Sequence, residues 1–368
     1  MSNDFNRQWL LVRRPGANIR EDDFRLTETP IPTPEQGQVL VRNLWLSFDP
    51  AQRSWMTMDS YVPMIPLGEV MRASGVGQII QSKHPGYKAG EFVQGAFGWR
   101  DYIATDGTGF LPMRTLPAGL APNLALSLFG ITGPTAYFGV LDVGQVKAGE
   151  TFVVSGAAGA TGSVAGQIAK IKGCRVIGTA GGKTKCDWLK NELGFDGVID
   201  YQSEEVGARL SALCPNGIDV FFDNVGGVVL NEVLARLKLK ARIVLCGAIS
   251  RYDVTPASGL ANYFNLVVTR SRMEGFIILD YAARFPEAIG ALAGWLKEGK
   301  LKQKEDVAIG LENAPNTLAR LFTGENFGKQ LLKITDPPLE RVNWNTDSRP
   351  WQNDPDFGEL ARLGRSSQ

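Results

Sequence analysis

Residues 151–162, TFVVSGAAGATG, place an apolar strand, a glycine-rich turn and the start of a helix in immediate succession. The spacing is Gly156-x-x-Gly159-x-x-Gly162, whereas the usual dinucleotide fingerprint, Gly-x-Gly-x-x-Gly, would have glycine at Ala157. Such a turn lets the backbone approach a pyrophosphate closely, and the N-terminus of the following helix offers unpaired N–H groups to the phosphates. The sequence therefore predicts a dinucleotide site with these contributors: Gly156, Gly159, Ala160, Thr161 and Gly162.

The segments that follow this turn alternate between strand-like and helix-like patterns, which is typical of parallel βαβ units. The predicted strands are 151–155, 174–179, 197–200, 219–222, 241–246 and 273–278. The predicted helices are 162–172, 185–193, 204–213, 228–237, 262–268 and 283–298. This alternation is long enough for a complete doubly wound parallel sheet of the Rossmann type, which makes the fold class α/β.

The residues on either side of this sheet indicate a second domain rich in strands. Short apolar or alternating runs, separated by proline and glycine, lie at 9–12, 39–46, 75–80, 92–95 and 102–104. A helix over 311–322 and a strand over 328–334 follow the parallel sheet. We expect this last strand to return to the β domain.

The predicted organisation has three parts. Residues 1–128 with 305–335 form the β domain, residues 129–304 form the dinucleotide-binding domain, and residues 336–368 form a C-terminal extension. The extension contains four prolines and many charges, which is typical of an extended surface arm. The alternative is a segment that packs on a partner subunit or borders the active site.

The composition excludes several classes of function. Lys plus Arg is 39 and Asp plus Glu is 38, so the chain has no net field to attract nucleic acid or an anionic membrane. Its single histidine, His84, lies in a predicted turn and is a poor general base. The four cysteines, Cys174, Cys186, Cys214 and Cys246, are too far apart for a zinc clip. We expect no metal site and no disulfide framework.

Two segments bear on cellular location. The polar N-terminus, residues 1–8, is not followed by the apolar core of a signal peptide. The uncharged run 115–141 is long enough to span a membrane, but its prolines and glycines favour buried loop and helix. We therefore expect a cytoplasmic protein with no membrane partner.

The end of the second strand indicates which dinucleotide binds. Residues 177–185, IGTAGGKTK, contain no carboxylate that could bond the ribose hydroxyls of NAD. Lys183 and Lys185 would attract a 2′-phosphate, so the sequence favours NADPH. The alternative is a solvated loop whose lysines have no role in binding.

Five further stretches carry a resemblance to a known family. They are DPAQR at 49–53, GITGPTAY at 130–137, DVFFDNVGG at 219–227, CGAISRY at 246–252 and NFGK at 326–329. Together with the glycine-rich turn, they resemble the medium-chain dehydrogenase/reductase superfamily over about residues 8–334. Within it, the chain is similar to the zinc-independent group of prostaglandin, alkenal double-bond and curcumin reductases.

The resemblance implies a GroES-like β domain and a Rossmann domain, with the active site in the cleft between them. Zinc-dependent relatives carry Gly-His-Glu where this chain has Leu67-Gly68-Glu69, and they have a ligand cysteine near Ser47. Both ligands are missing here, so the resemblance also implies chemistry without zinc. A homodimer is implied as well, with Phe276, Ile277 and Ile278 ending the last strand, where a second subunit could pair edge to edge. Core packing of these residues is the alternative.

The implied reaction is reduction of the carbon–carbon double bond of an α,β-unsaturated ketone or aldehyde, with hydride from NADPH adding to the β carbon. An enolate then develops on oxygen and needs a hydrogen-bond donor. The resemblance places Tyr252 near the nicotinamide, as oxyanion donor or proton relay; the alternative is a packing tyrosine.

The resemblance also implies the residues that contact the cofactor. Thr132 and Thr135 would lie beside the nicotinamide carboxamide, and Asn224, Val225 and Gly247 near its ribose. Tyr201 would join Lys185 at the 2′-phosphate, and Asn326 would close over the nicotinamide end. The remaining expected contacts are Gly181, Phe276 and Tyr252 itself. Each of these residues could instead be a cap or turn residue.

The substrate expected from the aromatic content is an apolar or aromatic enone or alkenal. Trp55, Tyr61, Trp99 and Tyr263 are candidates to line its pocket, although they could equally be core. Two other functions stay open at this point. One is an NADPH-dependent quinone reductase of the same superfamily, and the other is a catalytically silent NADPH-binding sensor.

Overall fold

The computed structural model describes residues 5–252 and 259–338. These residues form two compact units, one made of 5–127 with 305–338 and the other of 128–252 with 259–304. Most of the predicted C-terminal extension, from residue 339 onward, lies outside the described residues.

The described residues form fifteen strands and ten α-helices. The strands are β1 Phe5–Leu11, β2 Phe24–Pro30, β3 Val39–Ser47, β4 Gly75–Ser82, β5 Phe92–Gly95, β6 Tyr102–Thr105, β7 Arg114–Thr115, β8 Thr151–Val154, β9 Arg175–Ala180, β10 Gly197–Asp200, β11 Ile218–Asp223, β12 Leu237–Leu245, β13 Arg272–Gly275, β14 Glu305–Ile309 and β15 Lys329–Lys333. The helices are α1 Ala51–Thr57, α2 Pro122–Leu126, α3 Thr132–Phe138, α4 Ala160–Ile171, α5 Lys183–Asn191, α6 Val206–Leu213, α7 Gly227–Leu234, α8 Asn265–Thr269, α9 Phe285–Lys297 and α10 Ala314–Thr323.

The second unit is a six-stranded sheet in the order β10-β9-β8-β11-β12-β13. Every neighbouring pair in it is parallel, which gives the doubly wound order with β8 and β11 at the centre. The central strands are apolar on both faces, since helices cover both sides of such a sheet. Val153, Ile177, Phe221 and Ile243 are accordingly buried in one core cluster. The Rossmann prediction is confirmed.

The first unit contains a seven-stranded sheet in the order β14-β15-β3-β4-β5-β7, with β6 also paired to β3. Its pairs are antiparallel except for β14 with β15. The predicted return of strand 328–334 is confirmed, because β15 pairs with β3. A separate hairpin of β1 and β2 contributes Leu11 and Phe24 to a core that also contains Trp99, Leu318 and Leu332.

The last strand of the parallel sheet is shorter than predicted. It ends at Gly275, so the prediction that Phe276, Ile277 and Ile278 end this strand is wrong. The Phe276 ring packs toward Gly139, where a Cβ atom would lie 2.8 Å from Phe276 Cζ. It also meets Tyr281 edge-on, with 6.2 Å between ring centroids. Phe276 thus packs within the second unit.

Two strands of the first unit, β2 and β14, were not predicted, and one helix of the second unit is shorter than predicted. β2 is mostly exposed and has no regular apolar alternation, and β14 begins with two acidic residues. The helix predicted over 262–268 is confirmed only as the short α8, because residues 261–264 form a turn. Pairing with neighbouring strands, rather than local pattern, therefore sets β2 and β14.

Candidate active site

The glycine-rich turn lies between β8 and α4 and is tightly folded. Gly156 has φ +58°, a left-handed conformation that favours glycine. A Cβ atom at Gly162 would lie 2.4 Å from the Gly156 carbonyl oxygen, so no side chain fits there. The Gly159 N–H donates to the same oxygen at 3.0 Å. Gly156 and Gly162 are therefore required by the geometry of the turn.

Ala157 stands where the usual fingerprint has glycine, and the structure explains the exchange. Its side chain is fully buried, and its N–H donates to the Thr179 carbonyl at 2.9 Å. A Cβ atom at Gly178, on β9, would lie only 2.8 Å from the Ala157 methyl. The glycine missing from the turn is thus matched by one on the adjacent strand.

The beginning of α4 fits a phosphate group. Gly159 is the N-cap residue and has no side chain to satisfy the free N–H groups of the first turn. The first turn contains no acidic residue, so the positive end of this twelve-residue helix is not neutralised. The first-turn residues include the predicted Ala160, Thr161 and Gly162. The turn and the helix end thus fit a phosphate-bearing dinucleotide.

Asp223 joins this turn to the next one and was not predicted as a site residue. It ends β11, is fully buried, and accepts a hydrogen bond from the Ser155 hydroxyl at 2.7 Å. Its Oδ1 atom also accepts from the N–H groups of Val225 at 3.0 Å and Gly226 at 2.9 Å. Burial raises the pKa of Asp223, although these hydrogen bonds oppose the shift.

Asn224, Val225 and Gly247, predicted together, lie around this carboxylate. The Asn224 Nδ2 atom donates to the Ser155 carbonyl at 2.7 Å, and the Gly247 N–H donates to the Asp223 carbonyl at 3.0 Å. A Cβ atom at Gly156 would lie 3.5 Å from both Asn224 Cβ and Val225 Cγ2. The structure therefore brings three turns together at the carboxyl ends of β8, β11 and β12.

Tyr252 lies at the edge of this group of turns. Its hydroxyl oxygen accepts a long hydrogen bond, 3.4 Å, from the Ala248 N–H, and lies 3.5 Å from the place of a Cβ atom on Gly247. Burial raises the pKa of Tyr252, which keeps the phenol protonated at neutral pH. The hydroxyl is therefore in the protonated form, which can donate a hydrogen bond.

The end of β9 and the start of α5 hold the residues predicted for the 2′-phosphate. Gly181 is closely covered by Tyr201, since a Cβ atom there would lie 2.7 Å from the Tyr201 hydroxyl. Lys183 is highly exposed and forms an ion pair with Asp187 one turn along α5. Lys185 lies in the same first turn and is half-buried. The charge of Lys183 is thus partly compensated within the helix.

A carboxylate also stands at this turn, although residues 177–185 contain none. Asp200 ends the adjacent β10 and accepts hydrogen bonds from the N–H groups of Gly182 at 2.9 Å and Gln202 at 3.1 Å. The bond from Gly182 is the main reason that the pKa of Asp200 lies below its ordinary value. The Asp200 carboxylate is thus bonded to backbone N–H groups of the turn, while Lys183 and Lys185 supply the positive charge at this position.

Thr132 and Thr135 lie in α3, in the second unit. Thr132 is buried at the start of the helix, and the Thr135 hydroxyl donates to the Ile131 carbonyl at 2.8 Å. Gly133 between them cannot carry a side chain, because its Cβ atom would lie 1.9 Å from the Leu128 carbonyl oxygen. The Thr135 hydroxyl thus bonds to a backbone carbonyl one helical turn earlier, as threonine often does inside a helix.

Asn326 lies in the first unit, in the turn between α10 and β15, where its Nδ2 atom donates to the Gly328 carbonyl at 3.2 Å. Lys329 follows in β15 and is almost fully buried. Its Nζ atom lies 2.5 Å from Asp49 Oδ1 and 3.0 Å from the Phe48 carbonyl. The motifs at 49–53 and 326–329 are therefore one structural unit.

The four aromatic residues predicted to line the substrate pocket differ in burial. Trp99 is fully buried between Phe24 and Phe48, at centroid distances of 5.1 and 5.3 Å, and is a core residue. Tyr263 is 63% exposed in the turn before α8. Trp55 and Tyr61 form part of an aromatic cluster in the first unit, with 6.5 Å between their centroids.

The described residues also bear on metal binding and on membrane insertion. Within residues 5–252 and 259–338, no three His, Cys, Asp or Glu side chains come together in a way that could hold a metal ion. No helix in the described part of the chain is long and apolar enough to cross a membrane.

Comparison with known proteins places the chain in a family. Residues 7–113 match the family described as "N-terminal domain of oxidoreductase", and residues 160–294 match the family described as "Zinc-binding dehydrogenase". The chain is 40% identical over 336 residues to the NADPH-dependent curcumin reductase of Escherichia coli, covering 89% of this chain and 97% of that protein. It is 38% identical over 340 residues to the NADP(+)-dependent 2-alkenal reductase of Nicotiana tabacum, covering 90% and 98%.

A solved structure agrees with these relatives. The crystal structure of CurA in complex with NADPH from Vibrio vulnificus superposes with a TM-score of 0.85 at 41% identity, covering 90% of this chain and all of that one. The resemblance drawn from the motifs is confirmed. The chain belongs to the zinc-independent group of the medium-chain dehydrogenase/reductase superfamily.

Proposed function

We propose that this protein reduces the carbon–carbon double bond of α,β-unsaturated ketones or aldehydes with NADPH and without zinc. The observation that carries the proposal is the hydrogen-bonded group of turns around Asp223, which joins the glycine-rich turn to Asn224 and Gly247. Relatives named curcumin reductase and 2-alkenal reductase align along nearly their whole length. Both names describe enzymes that act on conjugated double bonds.

The proposed cofactor contacts follow the geometry of the second unit. The pyrophosphate would be held by Gly156, Gly159, Ala160, Thr161 and Gly162, and the 2′-phosphate by Lys185 and Tyr201 beside Gly181. The nicotinamide riboside would contact Asn224, Val225, Gly247 and Tyr252. The further proposed contacts are Thr132, Thr135, Phe276 and Asn326. Residues 129–304 would thus form the NADPH-binding domain, and residues 1–128 with 305–335 the substrate domain.

Few protein groups are needed for this chemistry. NADPH, when bound, supplies the hydride that the β carbon accepts. The role of Tyr252 is to donate a hydrogen bond from its protonated hydroxyl to the enolate oxygen of the substrate. The α carbon then takes a proton from the Tyr252 hydroxyl or from water. The three linked turns hold Asn224, Gly247 and Tyr252 in fixed relative positions, which would lower the entropic cost of reaching the reactive geometry.

Assay of NADPH oxidation against several acceptors tests the proposal. We expect rapid oxidation with an enone or alkenal, with the saturated carbonyl compound as product by mass spectrometry. Faster turnover of quinones, without a saturated product from the enones, would indicate a quinone reductase. Tight NADPH binding without oxidation by any acceptor would indicate a binding protein.

Lys185→Ala should weaken NADPH binding by about 1.5–3 kcal/mol, the usual value of a hydrogen bond to a charged group. NADH binding should hardly change, because NADH has no 2′-phosphate. Isothermal titration with each cofactor measures both effects, and Lys190→Ala, an exposed lysine at the other end of α5, is the control. Equal losses of affinity for NADPH and NADH would refute the assignment of Lys185.

We also propose a homodimer. Its support is an exposed apolar surface on α8 and the turn before it, made of four side chains that are 56–65% exposed: Tyr263, Phe264, Val267 and Val268. Such a surface is unusual for an isolated chain. Sedimentation should give twice the 40.0 kDa chain mass, and the double change Phe264→Glu with Val267→Glu should give a monomer. A wild-type monomer at micromolar concentration would contradict this. A cytoplasmic location stays a prediction.

A further inference from the structure

The glycine that follows β9 stands where NAD-binding sheets of this type carry a carboxylate. In such sheets, an Asp or Glu about 20 residues after the glycine-rich turn bonds the ribose 2′-hydroxyl. Gly181 directly follows Ala180, the last residue of β9. A Cβ atom at Gly181 would lie 2.7 Å from the Tyr201 hydroxyl oxygen and 2.9 Å from the Gln202 Nε2 atom. The space that a carboxylate side chain would need is therefore taken by two polar groups from the turn after β10.

Both of these polar groups are hydrogen-bond donors that a ligand can reach. A phenol donates through its O–H group, and a carboxamide donates through its N–H groups. The Tyr201 side chain is 47% exposed, and Gln202 is also exposed. Within residues 5–252 and 259–338, neither side chain has a hydrogen-bond partner; the bond of Gln202 to Asp200 is made by its backbone N–H. Two accessible donors thus converge on one point beside Gly181.

The backbone that carries the two donors is held by Asp200. Its Oδ1 atom accepts a hydrogen bond from the Gln202 N–H at 3.1 Å and another from the Gly182 N–H at 2.9 Å. The Tyr201 N–H donates to the Ala180 carbonyl at 3.1 Å. One carboxylate oxygen therefore joins the turn after β9 to the turn after β10. The donors are carried on a backbone that is already ordered, which lowers the entropic cost of binding a ligand there.

The charges at this position fit a phosphate rather than a ribose hydroxyl. The first turn of α5 contains Lys183 and Lys185 and no acidic residue. Glu204, close to Gln202 in sequence, forms an ion pair with Arg209 at 2.8 Å. Gln202 itself is uncharged, so its amide can donate to an anion without repelling it. Hydrogen bonds to a charged phosphate oxygen are stronger than those to a neutral hydroxyl.

We propose that Gln202 is a specificity residue that distinguishes NADPH from NADH. The Gln202 Nε2–H and the Tyr201 O–H donate to oxygens of the 2′-phosphate beside Gly181, and Lys185 supplies the positive charge. This inference rests on the cofactor contacts of the proposed function at this turn, and it adds Gln202 as a second uncharged donor. All of these residues belong to the second unit.

Titration of NADPH and NADH against two Gln202 variants tests the proposal. Gln202→Ala should weaken NADPH binding about tenfold, as for the loss of one hydrogen bond to a charged group, and leave NADH binding unchanged. Gln202→Glu keeps the size of the side chain but places a negative charge beside the phosphate, so it should weaken NADPH binding about 100-fold or more. Its affinity for NADH should not fall, because a carboxylate can accept from the ribose 2′-hydroxyl.

Asn191→Asp is the matched control for the added charge. Asn191 is exposed at the last position of α5, and the change to Asp is again an amide replaced by a carboxylate. It should leave the affinities for NADPH and NADH unchanged.

The outcome does not depend on the reductase reaction, because binding is measured by calorimetry without an enone. A loss of affinity confined to NADPH in both variants supports the role of Gln202 even if no enone is reduced. Unchanged NADPH affinity in Gln202→Ala, or equal losses for NADPH and NADH in either variant, would overturn the role of Gln202 and leave the proposed function standing.

Discussion

Replacing Asp223 with alanine should lower the free energy of unfolding by about 3 kcal/mol and weaken NADPH binding about tenfold or more. The change leaves the Ser155 hydroxyl and the N–H groups of Val225 and Gly226 without their acceptor. Each buried donor without a partner costs about 1–3 kcal/mol. Removal of a buried carboxylate also relieves its own desolvation, so the net loss is smaller than the sum of these costs.

The control for this prediction is Asp223→Asn, with the amide oxygen in place of Oδ1. Oδ1 accepts three of the hydrogen bonds, whereas Oδ2 accepts only the 3.1 Å bond from Gly226. Asparagine can therefore keep most of the interactions, and it should lose about 1 kcal/mol or less. Urea unfolding and cofactor titration measure both variants. Similar losses in the alanine and asparagine variants would contradict the role of Oδ1 as the acceptor that joins the turns.

Tyr252→Phe should lower kcat about 10²-fold, the usual effect of removing one donor to a developing oxyanion. NADPH affinity should stay the same, since the ring and its packing are kept. Because burial raises the pKa of Tyr252, ionisation of the phenol should not lower the wild-type kcat below about pH 10. Steady-state kinetics across pH and a cofactor titration check these expectations.

A matched variant makes the result specific to Tyr252. Tyr87→Phe removes a phenolic hydroxyl that donates to the Met113 carbonyl at 2.7 Å in the first unit, and it should leave kcat unchanged. Unchanged kcat in Tyr252→Phe would assign proton donation and enolate stabilisation to another group, such as water or the cofactor ribose.

Much of the fold could be predicted because the local signals agreed. The parallel strands are apolar on both faces, the turns between them carry glycine, and the spacing at 156–162 predicts the start of α4 to within two residues. The same stretch predicted the required glycines, and the structure shows the steric reason at Gly156 and Gly162. The departure at Ala157 could not be explained from the sequence, because its counterpart, Gly178, lies on the next strand.

The unpredicted parts depend on contacts between residues that are distant in sequence. Asp223 and Ser155 are 68 positions apart, and Lys329 and Asp49 are 280 apart, so no local pattern links them. Asp200 reaches the β9–α5 turn from the adjacent strand. β13 ends at Gly275, and Phe276 after it packs toward Gly139, a contact that periodicity does not reveal. The predicted cleft between the domains and the roles of the site residues stay predictions.

Transfer of label from the cofactor tests the central claim most directly. Enzyme, an aryl enone and NADPH carrying deuterium at C4 of the nicotinamide are incubated, and the product is examined by NMR and mass spectrometry. Double-bond reduction requires deuterium at the β carbon of a saturated ketone, with the carbonyl group retained. Deuterium on the carbonyl carbon of an allylic alcohol, or NADPH oxidation without any labelled product, would contradict the account.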